Sequence, residues 1–226
     1  MPPEKTSVVT IDGPAGAGKS TTARQLAARL AYSFLDTGAL YRTVAFEALR
    51  RKVDWSSGPD MGALATSLGI AFRPSSDGNR VLVDGIDVTA EIRQPEISQG
   101  ASRVSALPEV RAALLGLQQN IGAQGRVVAE GRDTGTVVFP KAFAKFFLTA
   151  APEERARRRA VELAAQGQKV DFAEVLAELQ QRDERDSNRA FAPLKRANDA
   201  AEILTDGMGP EQVVAHLERI VRERGG

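Results

Sequence analysis

Short apolar runs alternate with amphipathic stretches along most of the chain. Five runs have the length and the β-branched or aromatic content of buried strands, and they occupy residues 7–12, 33–36, 126–130, 145–150 and 201–206. Between these runs, apolar residues recur with helical spacing, so that Ala23, Leu26 and Leu30 share one face of a predicted helix. Short strands that alternate with helices predict an α/β fold, in which helices cover both faces of a five-stranded parallel sheet.

Two stretches interrupt this alternation. Within residues 58–105, two strand-like runs flank Asp77 and Gly78, a pair suited to a hairpin turn, and residues 87–93 are consistent with a further strand. This stretch predicts a small α+β insertion. Residues 152–169 are rich in arginine and predict a mobile lid over a ligand. The predicted core, which includes the lid, comprises residues 7–57 and 106–226, and residues 1–6 form a predicted disordered lead.

Composition narrows the class of protein. The chain has 226 residues, of which 42% are hydrophobic and 26% charged, as is usual for a soluble globular protein. No apolar run approaches the ~18 residues that a transmembrane helix needs. The chain has no cysteine for disulfides or thiolate metal sites, and its formal net charge is only +1. We therefore expect a cytoplasmic protein without a membrane or nucleic-acid partner, in which any basic site is local.

The sequence GPAGAGKS, residues 13–20, points to the chemistry. It fits the pattern G-x-x-x-x-G-K-[ST], follows a predicted strand and opens a predicted helix, as a phosphate-binding loop (P-loop) requires. Small residues let backbone N–H groups surround phosphate oxygens, and the helix N-terminus adds partial positive charge. Lys19 is placed to reach the β- and γ-phosphates, and Ser20 to offer its hydroxyl to Mg²⁺. A flexible linker is the alternative, which the flanking strand and helix disfavour. The candidate ATP-binding residues are Gly13, Pro14, Ala15, Gly16, Ala17, Gly18, Lys19, Ser20 and Thr21.

Two further motifs follow predicted strands, at the edge where open parallel sheets bind ligands. LDTGALYR, residues 35–42, suits a phosphate acceptor near Thr37 and Arg42, and its alternative is a capped helix with a solvated arginine. In EGRDTGTVVFP, Arg132 and Asp133 are adjacent, so their side chains diverge. This divergence is useful when one of the two side chains holds a phosphate and the other binds a base. A loop salt bridge is the alternative there. No N-K-x-D tetrapeptide occurs, which argues against a guanine-specific switch protein.

Arginines also recur with helical spacing in the second half of the chain. One predicted helical face carries Arg182, Arg185, Asp186 and Arg189, and another carries Arg155, Arg158 and Arg159. A solvated charged face is the usual meaning of such a pattern. Beside a lid, however, arginines can clamp a phosphoryl group during its transfer, so both interpretations remain open.

Taken in order, TIDGPAGAGKST, LDTGALYR, EGRDTGTVVFP and RDERDSNRAFAPLK resemble bacterial cytidylate kinases, in the nucleoside monophosphate kinase family of P-loop kinases. The resemblance extends to the C-terminal helix and includes the long insertion that separates these enzymes from the related adenylate kinases. It implies transfer of the ATP γ-phosphate to CMP or dCMP, with Mg²⁺ arriving on the nucleotide. It also implies a core, a nucleoside-monophosphate-binding insertion and a lid, and we expect a monomer.

The resemblance assigns a role to each matching position. The acceptor phosphate is assigned to Arg42 and Arg132. The cytosine ring is assigned to Thr37, Arg111, Asp133 and Arg189, and the ribose to Ser102, Arg182 and Asp186. The implied catalytic residues, which serve the phosphates, are Lys19, Arg132, Arg155, Arg158 and Arg159. Mg²⁺ is assigned to Ser20, and through water to Asp36 and Glu130.

Two other functions stay open at this point. One is a small kinase with another acceptor, such as UMP or a non-nucleotide alcohol, and the other is a non-catalytic nucleotide-binding switch or scaffold. The motifs do not determine the preference between CMP and dCMP, and residues 206–209 are the candidate for adenine contact. The single histidine, His216, is predicted to be a surface residue.

Overall fold

The computed structural model describes residues 7–75, 78–165 and 167–225. The predicted lead at residues 1–6 and Asp77 of the predicted hairpin turn lie outside the described residues. In chain order, the strands and helices are β1 (Val8–Asp12), α1 (Lys19–Leu30), β2 (Ser33–Asp36), α2 (Thr37–Arg51), α3 (Gly58–Ser67), β3 (Ile70–Ser75), β4 (Gly78–Val83), β5 (Ile86–Asp87), α4 (Pro95–Val104), α5 (Pro108–Ala123), β6 (Val127–Glu130), β7 (Ala144–Thr149), α6 (Pro152–Ala165), α7 (Phe172–Asn188), β8 (Ala201–Leu204) and α8 (Pro210–Glu223).

The central sheet has five parallel strands in the order β2–β6–β1–β7–β8. Strand β1 lies at its centre, where Val8 pairs with Val127 of β6 and Val9 pairs with Ala144 of β7. All five residues of β1 are buried, as a continuous apolar run in a parallel sheet requires. The five predicted strands and their parallel arrangement are confirmed, with ends that differ by at most two residues.

Helices cover both faces of this sheet. On one face, Leu26 of α1 and Leu217 of α8 are fully buried in the cluster that contains Phe146 of β7. On the other face, Ile121 of α5 packs against the cluster that contains Leu35 of β2. Burying an aliphatic or aromatic side chain of this size contributes about 1.5–3 kcal/mol relative to leaving it exposed. The packing of the helices on both faces therefore stabilises the sheet.

The insertion contains a second, antiparallel sheet in the order β3–β4–β5. The strand expected at residues 87–93 was wrong in extent, because β5 ends at Asp87. Asp87 accepts a hydrogen bond from the backbone N–H of Thr89 (3.0 Å), and the Thr89 hydroxyl accepts one from the N–H of Val81 (2.8 Å). This local turn ends the strand, and a 3₁₀ turn at Glu91–Arg93 then buries Ile92.

The insertion and the adjoining helices share one apolar cluster. It contains Val44 of α2, Met61 of α3, Val83 of β4, Ile97 of α4 and Leu114 of α5. The insertion is therefore packed continuously against α2 and α5, and the boundaries at residues 58 and 105 stay a prediction.

Trp55 joins α2 to the insertion. Its indole N–H donates a hydrogen bond to the carbonyl oxygen of Ala45 in α2 (3.1 Å). Its ring lies so close to Gly100 of α4 that a Cβ at that position would approach it to 2.7 Å. Only glycine fits at position 100 with this ring in place.

The predicted lid segment begins with α6, which packs against α7. Ala156 of α6 is buried with Val175 and Leu179 of α7, and Ala15 of the P-loop belongs to the same cluster. Helix α6 thus touches the P-loop directly. Among the described residues, no helix combines the length and apolar content needed to cross a bilayer.

Candidate active site

The carboxyl ends of β1, β2 and β6 bring three motifs to one edge of the sheet. Asp12 ends β1 just before the P-loop, Asp36 ends β2, and Glu130 ends β6. Because parallel strands end at the same edge, residues far apart in sequence meet there. Asp36 and Glu130 are register partners on adjacent strands.

The P-loop has the backbone conformation that its glycines predict. Gly16 and Gly18 have φ angles of +77° and +85°, in the left-handed region that favours glycine, and α1 begins at Lys19. At Gly16 a Cβ would lie 3.0 Å from the carbonyl oxygen of Arg155, so α6 closes tightly over this turn. Gly18 is the N-cap of α1 and lacks a side chain, which leaves the first N–H groups of the helix available to an anion.

Lys19 is buried behind this loop. Its Nζ donates a hydrogen bond to the carbonyl oxygen of Pro14 (2.7 Å). Burial, and then the charge of Arg132, lower the pKa of Lys19 to about 7. The amine is therefore held in a poorly hydrated position, where the negative charge of a polyphosphate would favour its protonated form.

Ser20 and two carboxylates form the candidate Mg²⁺ site. The Ser20 hydroxyl donates to Oε1 of Glu130 (2.7 Å), and burial, followed by repulsion from Asp36, raises the pKa of Glu130. Within the described ranges, no three His, Cys, Asp or Glu side chains converge as a direct ligand set. A hydroxyl and two nearby carboxylates fit Mg²⁺, which prefers oxygen ligands, keeps several waters and also binds substrate phosphates.

Two of the residues assigned to cytosine, Arg111 and Arg189, gather around a third, Asp133. The guanidinium groups of Arg111 and Arg189 both form ion pairs with this carboxylate, the latter at 3.3 Å. Arg111 also lies over the ring of Tyr41, with 5.4 Å between its Cζ and the ring centroid. The Thr37 hydroxyl is buried nearby and donates to the carbonyl oxygen of Glu130 (2.7 Å). The guanidinium groups offer hydrogen-bond donors and the carboxylate offers acceptors, which together complement a planar ring that carries both.

The arginines assigned to the acceptor phosphate are each paired with an acid. Arg42 contacts Asp36 at 2.6 Å, and Nε of Arg132 donates to Asp186 at 2.9 Å. Two arginines therefore lie at this edge of the sheet. The oxygens of a phosphate can replace the carboxylates that pair with them.

The residues assigned to the ribose lie beside that phosphate cluster. Ser102 is buried and accepts a hydrogen bond from Arg185 (2.7 Å), a residue without an assigned role in the site. Among the described residues, Nε of Arg182 has no hydrogen-bond partner. Burial, and then the charge of Arg132, lower the pKa of Arg182 to about 10.

The three lid arginines have different partners. Arg155 is buried, donates to the carbonyl oxygens of Ala150 (3.0 Å) and Ala15 (3.1 Å), and pairs with Asp183. Arg158 donates to the carbonyl oxygen of Thr205 (2.6 Å) and to Glu154 (2.8 Å). The third, Arg159, pairs with Glu162 at 2.8 Å. Helical spacing alone did not predict that Arg155 contacts the P-loop backbone.

Sequence reasoning missed Asp12. Its carboxylate accepts hydrogen bonds from residues 134 and 135, in the turn that follows Arg132 and Asp133. The available signal was an acid at the end of a fully buried strand, but its partners lie more than 120 residues away in sequence.

A model of the cytidylate kinase family matches residues 9–223 of the chain. The chain belongs to the cytidylate kinase family. It is 49% identical to a cytidylate kinase of Geobacter sulfurreducens, over 96% of this chain and 93% of that relative. It is also 49% identical to a bifunctional pantoate ligase/cytidylate kinase of Synechococcus sp. strain WH7803, over 97% of this chain but only 45% of that protein.

A comparison of folds adds a more distant likeness. The crystal structure of an uncharacterised protein from Eubacterium ventriosum matches with a TM-score of 0.54 and 12% identity, over 97% of this chain and 99% of that one. This likeness shows a shared fold only, and the cytidylate kinase family is assigned from sequence.

Proposed function

We propose that this protein transfers the γ-phosphoryl group of ATP to CMP or dCMP, giving ADP and the corresponding diphosphate. The observation that carries the proposal is the meeting of Arg111, Asp133 and Arg189 at the same sheet edge as the P-loop. A base-binding group and a polyphosphate-binding group at one edge suit two nucleotides bound with their phosphates facing each other. Membership of the cytidylate kinase family supports the same conclusion.

The reaction needs charge neutralisation and alignment more than a strong base. An oxygen of the acceptor phosphate forms a bond to the γ-phosphorus, while the bond from that phosphorus to the β–γ bridging oxygen breaks and ADP leaves. Lys19 and the N–H groups at the start of α1 hold the donor phosphates. Arg42 and Arg132 hold the acceptor phosphate, exchanging Asp36 and Asp186 for its oxygens.

Mg²⁺ would neutralise charge on the donor phosphates. The residues that would hold it are Ser20, with Asp36 and Glu130 through water. The short contact between Ser20 and Glu130 keeps both groups at the mouth of the P-loop, which supports this assignment.

The base is selected by the polarity at its position 4. An ionised carboxylate only accepts hydrogen bonds, so Asp133 suits the amino group of cytosine and repels the carbonyl oxygen of uracil. Arg111 and Arg189 only donate, and they suit the O2 and N3 acceptors of cytosine. Thr37 lies against Gly131, two residues before Asp133, and we assign Ser102, Arg182 and Asp186 to the sugar.

The proposal extends to the form of the protein. We assign residues 58–105 to the insertion that binds the monophosphate, and residues 152–169 to a lid that closes over both nucleotides. The contacts of α6 with the P-loop support a lid that acts at the donor phosphates. We also propose a cytoplasmic monomer without a nucleic-acid partner.

A coupled assay of ADP release tests the function directly. CMP, dCMP, UMP, AMP and shikimate are compared as acceptors, with ATP and Mg²⁺. CMP and dCMP are expected to be the best substrates, and Lys19→Met should reduce turnover by about 10³-fold, because a charge on the transferring group is lost. A preference for another acceptor, or no acceptor-dependent release, would refute the proposal.

A further inference from the structure

Asp12 binds the turn that carries the proposed acceptor-binding residues. Its carboxylate is buried, and Oδ1 accepts hydrogen bonds from the backbone N–H (2.9 Å) and the hydroxyl (2.8 Å) of Thr134. Oδ2 accepts a third bond from the N–H of Gly135 (2.7 Å). All three donors belong to the start of one π-helical turn, Thr134–Val138.

The same strand holds the other end of this segment. The N–H of Gly131 donates to the carbonyl oxygen of Ile11 (3.1 Å), the residue before Asp12. Arg132 and Asp133 are the only two residues between these attachments to β1. Their backbone is thus fixed on both sides by the strand that leads directly into the P-loop.

Close packing restricts the segment further. At Gly135 a Cβ would lie 2.9 Å from the hydroxyl of Thr10 and 3.3 Å from Oδ2 of Asp12. At Gly131 a Cβ would lie 2.6 Å from the hydroxyl of Thr37. No room remains between the turn and β1 for a side chain at Gly135. If Asp12 loses one of its acceptor oxygens, the turn therefore has to move.

Asp12 itself has little scope to contact a substrate. Its two oxygens accept three hydrogen bonds from the protein, and burial raises its pKa. A buried carboxylate satisfied only by N–H and O–H donors fixes the positions of those donors.

We propose that Asp12 is a positioning residue, which sets Arg132 and Asp133 relative to the P-loop and thereby aligns the acceptor with the donor. The proposal rests on the roles proposed above for Arg132 and Asp133.

The decisive variant is Asp12→Asn, which keeps the size of the side chain. An amide has one oxygen, so in either orientation one of the two backbone N–H groups of the turn faces an NH₂ group instead of an acceptor. The KM for CMP is expected to rise about tenfold, and the CMP-to-UMP ratio of kcat/KM to fall by a similar factor, because small misplacements of binding groups are costly. The KM for ATP should change less than about twofold, since β1 and the P-loop keep their own backbone contacts.

Hydrogen exchange of the ligand-free protein gives a readout that does not depend on activity. In Asp12→Asn, amides in residues 131–138 should exchange faster than in the wild type, while those of α8 should not change. Thr134→Val removes one of the three hydrogen bonds and keeps both backbone donors. It should therefore raise the KM for CMP and the rate of amide exchange in residues 131–138, but by less than Asp12→Asn does.

Thr10→Val is the matched control. Thr10 lies on β1 two residues before Asp12, is buried, and its hydroxyl has no hydrogen-bond partner among the described residues. This variant should keep the wild-type KM for CMP and the wild-type base ratio.

The outcomes separate this inference from the proposed function. Wild-type kinetics in Asp12→Asn, or equal losses for CMP, UMP and ATP, overturn a positioning role and leave the function standing. Faster exchange with unchanged kinetics also overturns it. A wild-type protein that does not phosphorylate CMP overturns the proposed function, and the positioning role with it.

Discussion

At the scale of single residues, the site consists of charges held out of water. Lys19 lies behind the P-loop, and the carboxylate of Asp133 lies between two guanidinium groups. Burial disfavours the charged form of Lys19, whereas the charge of Asp133 is compensated by Arg111 and Arg189. Each residue leads to one prediction.

The burial of Lys19 should make the stability of the ligand-free protein depend on pH. Its pKa is about 7 in the folded protein and 10.5 in the unfolded chain, so between these values the unfolded state binds more protons. Stability contributed by this residue therefore rises with pH over that range. Lys19→Met lacks the effect and should be more stable than the wild type near pH 7.

The difference in unfolding free energy between Lys19→Met and the wild type should shrink as pH rises from 7.5 to 9, by up to about 1.4 kcal/mol per unit. Denaturant titrations at several pH values measure it. A difference that stays constant with pH would contradict a depressed pKa for Lys19.

Asp133 should determine the choice of base. Asp133→Asn keeps the shape but offers both an acceptor and a donor, and so can pair with cytosine or uracil. Activity with CMP should fall while activity with UMP falls less or rises, and the ratio of kcat/KM should narrow by about 10²-fold or more. Equal losses with both substrates would make Asp133 a structural partner of Arg111 and Arg189 only.

At the scale of elements, helix α6 carries adjacent arginines with opposite surroundings. Arg157 and Arg158 both pair with Glu154, but Arg157 is exposed, whereas Arg158 reaches Thr205 and lies near Gly18 of the P-loop. Helix α6 thus presents only one of these two residues to the P-loop.

This difference allows a matched pair of variants. Arg158→Ala should lower kcat about 10²-fold, because a charge near the transferred phosphoryl group is lost. Arg157→Ala should leave kcat within about twofold, although it removes the same kind of pairing from Glu154. Steady-state kinetics of both variants decide the matter, and similar losses in the two would rule out a specific role for Arg158.

The strands and the P-loop could be predicted from sequence because their signals are local. A buried strand is a run of apolar residues, and a phosphate loop is a fixed spacing of glycines and lysine. The burial of Arg155 could not be predicted, since it depends on carbonyl oxygens 5 and 140 residues away. The pairing of Asp133 with Arg111, on α5, likewise joins residues 22 positions apart that no local pattern connects.

At the scale of the whole molecule, the two proposed moving parts have different attachments. The insertion shares a large apolar cluster with α2 and α5, whereas the apolar cluster that joins α6 and α7 to the P-loop is small and is supplemented by polar pairs such as Arg155–Asp183 and Arg132–Asp186. A small interface opens at lower free-energy cost than a large one. We therefore expect the lid to move more readily than the insertion.

Hydrogen exchange can test this order. Amides of α6 should exchange faster than those of α4 in the ligand-free protein, and should slow when an ATP analogue and CMP bind together, because the bound phosphates neutralise the lid arginines. Helix α8, which packs with α1 against the sheet, serves as the internal control. Exchange in α6 that is unaffected by both ligands would contradict a closing lid.

Trp55 is the only tryptophan in the chain, and it lies at the joint between α2 and α4. Indole fluorescence depends on the polarity around the ring, so the emission of the native protein reports on this one joint without an attached dye. Rotation of α4 away from α2 would admit water beside the ring and shift the emission to longer wavelength. A displacement that carries α2 and α4 together would leave the spectrum unchanged, so the emission of this one side chain distinguishes movement of the insertion relative to α2 from movement that includes α2.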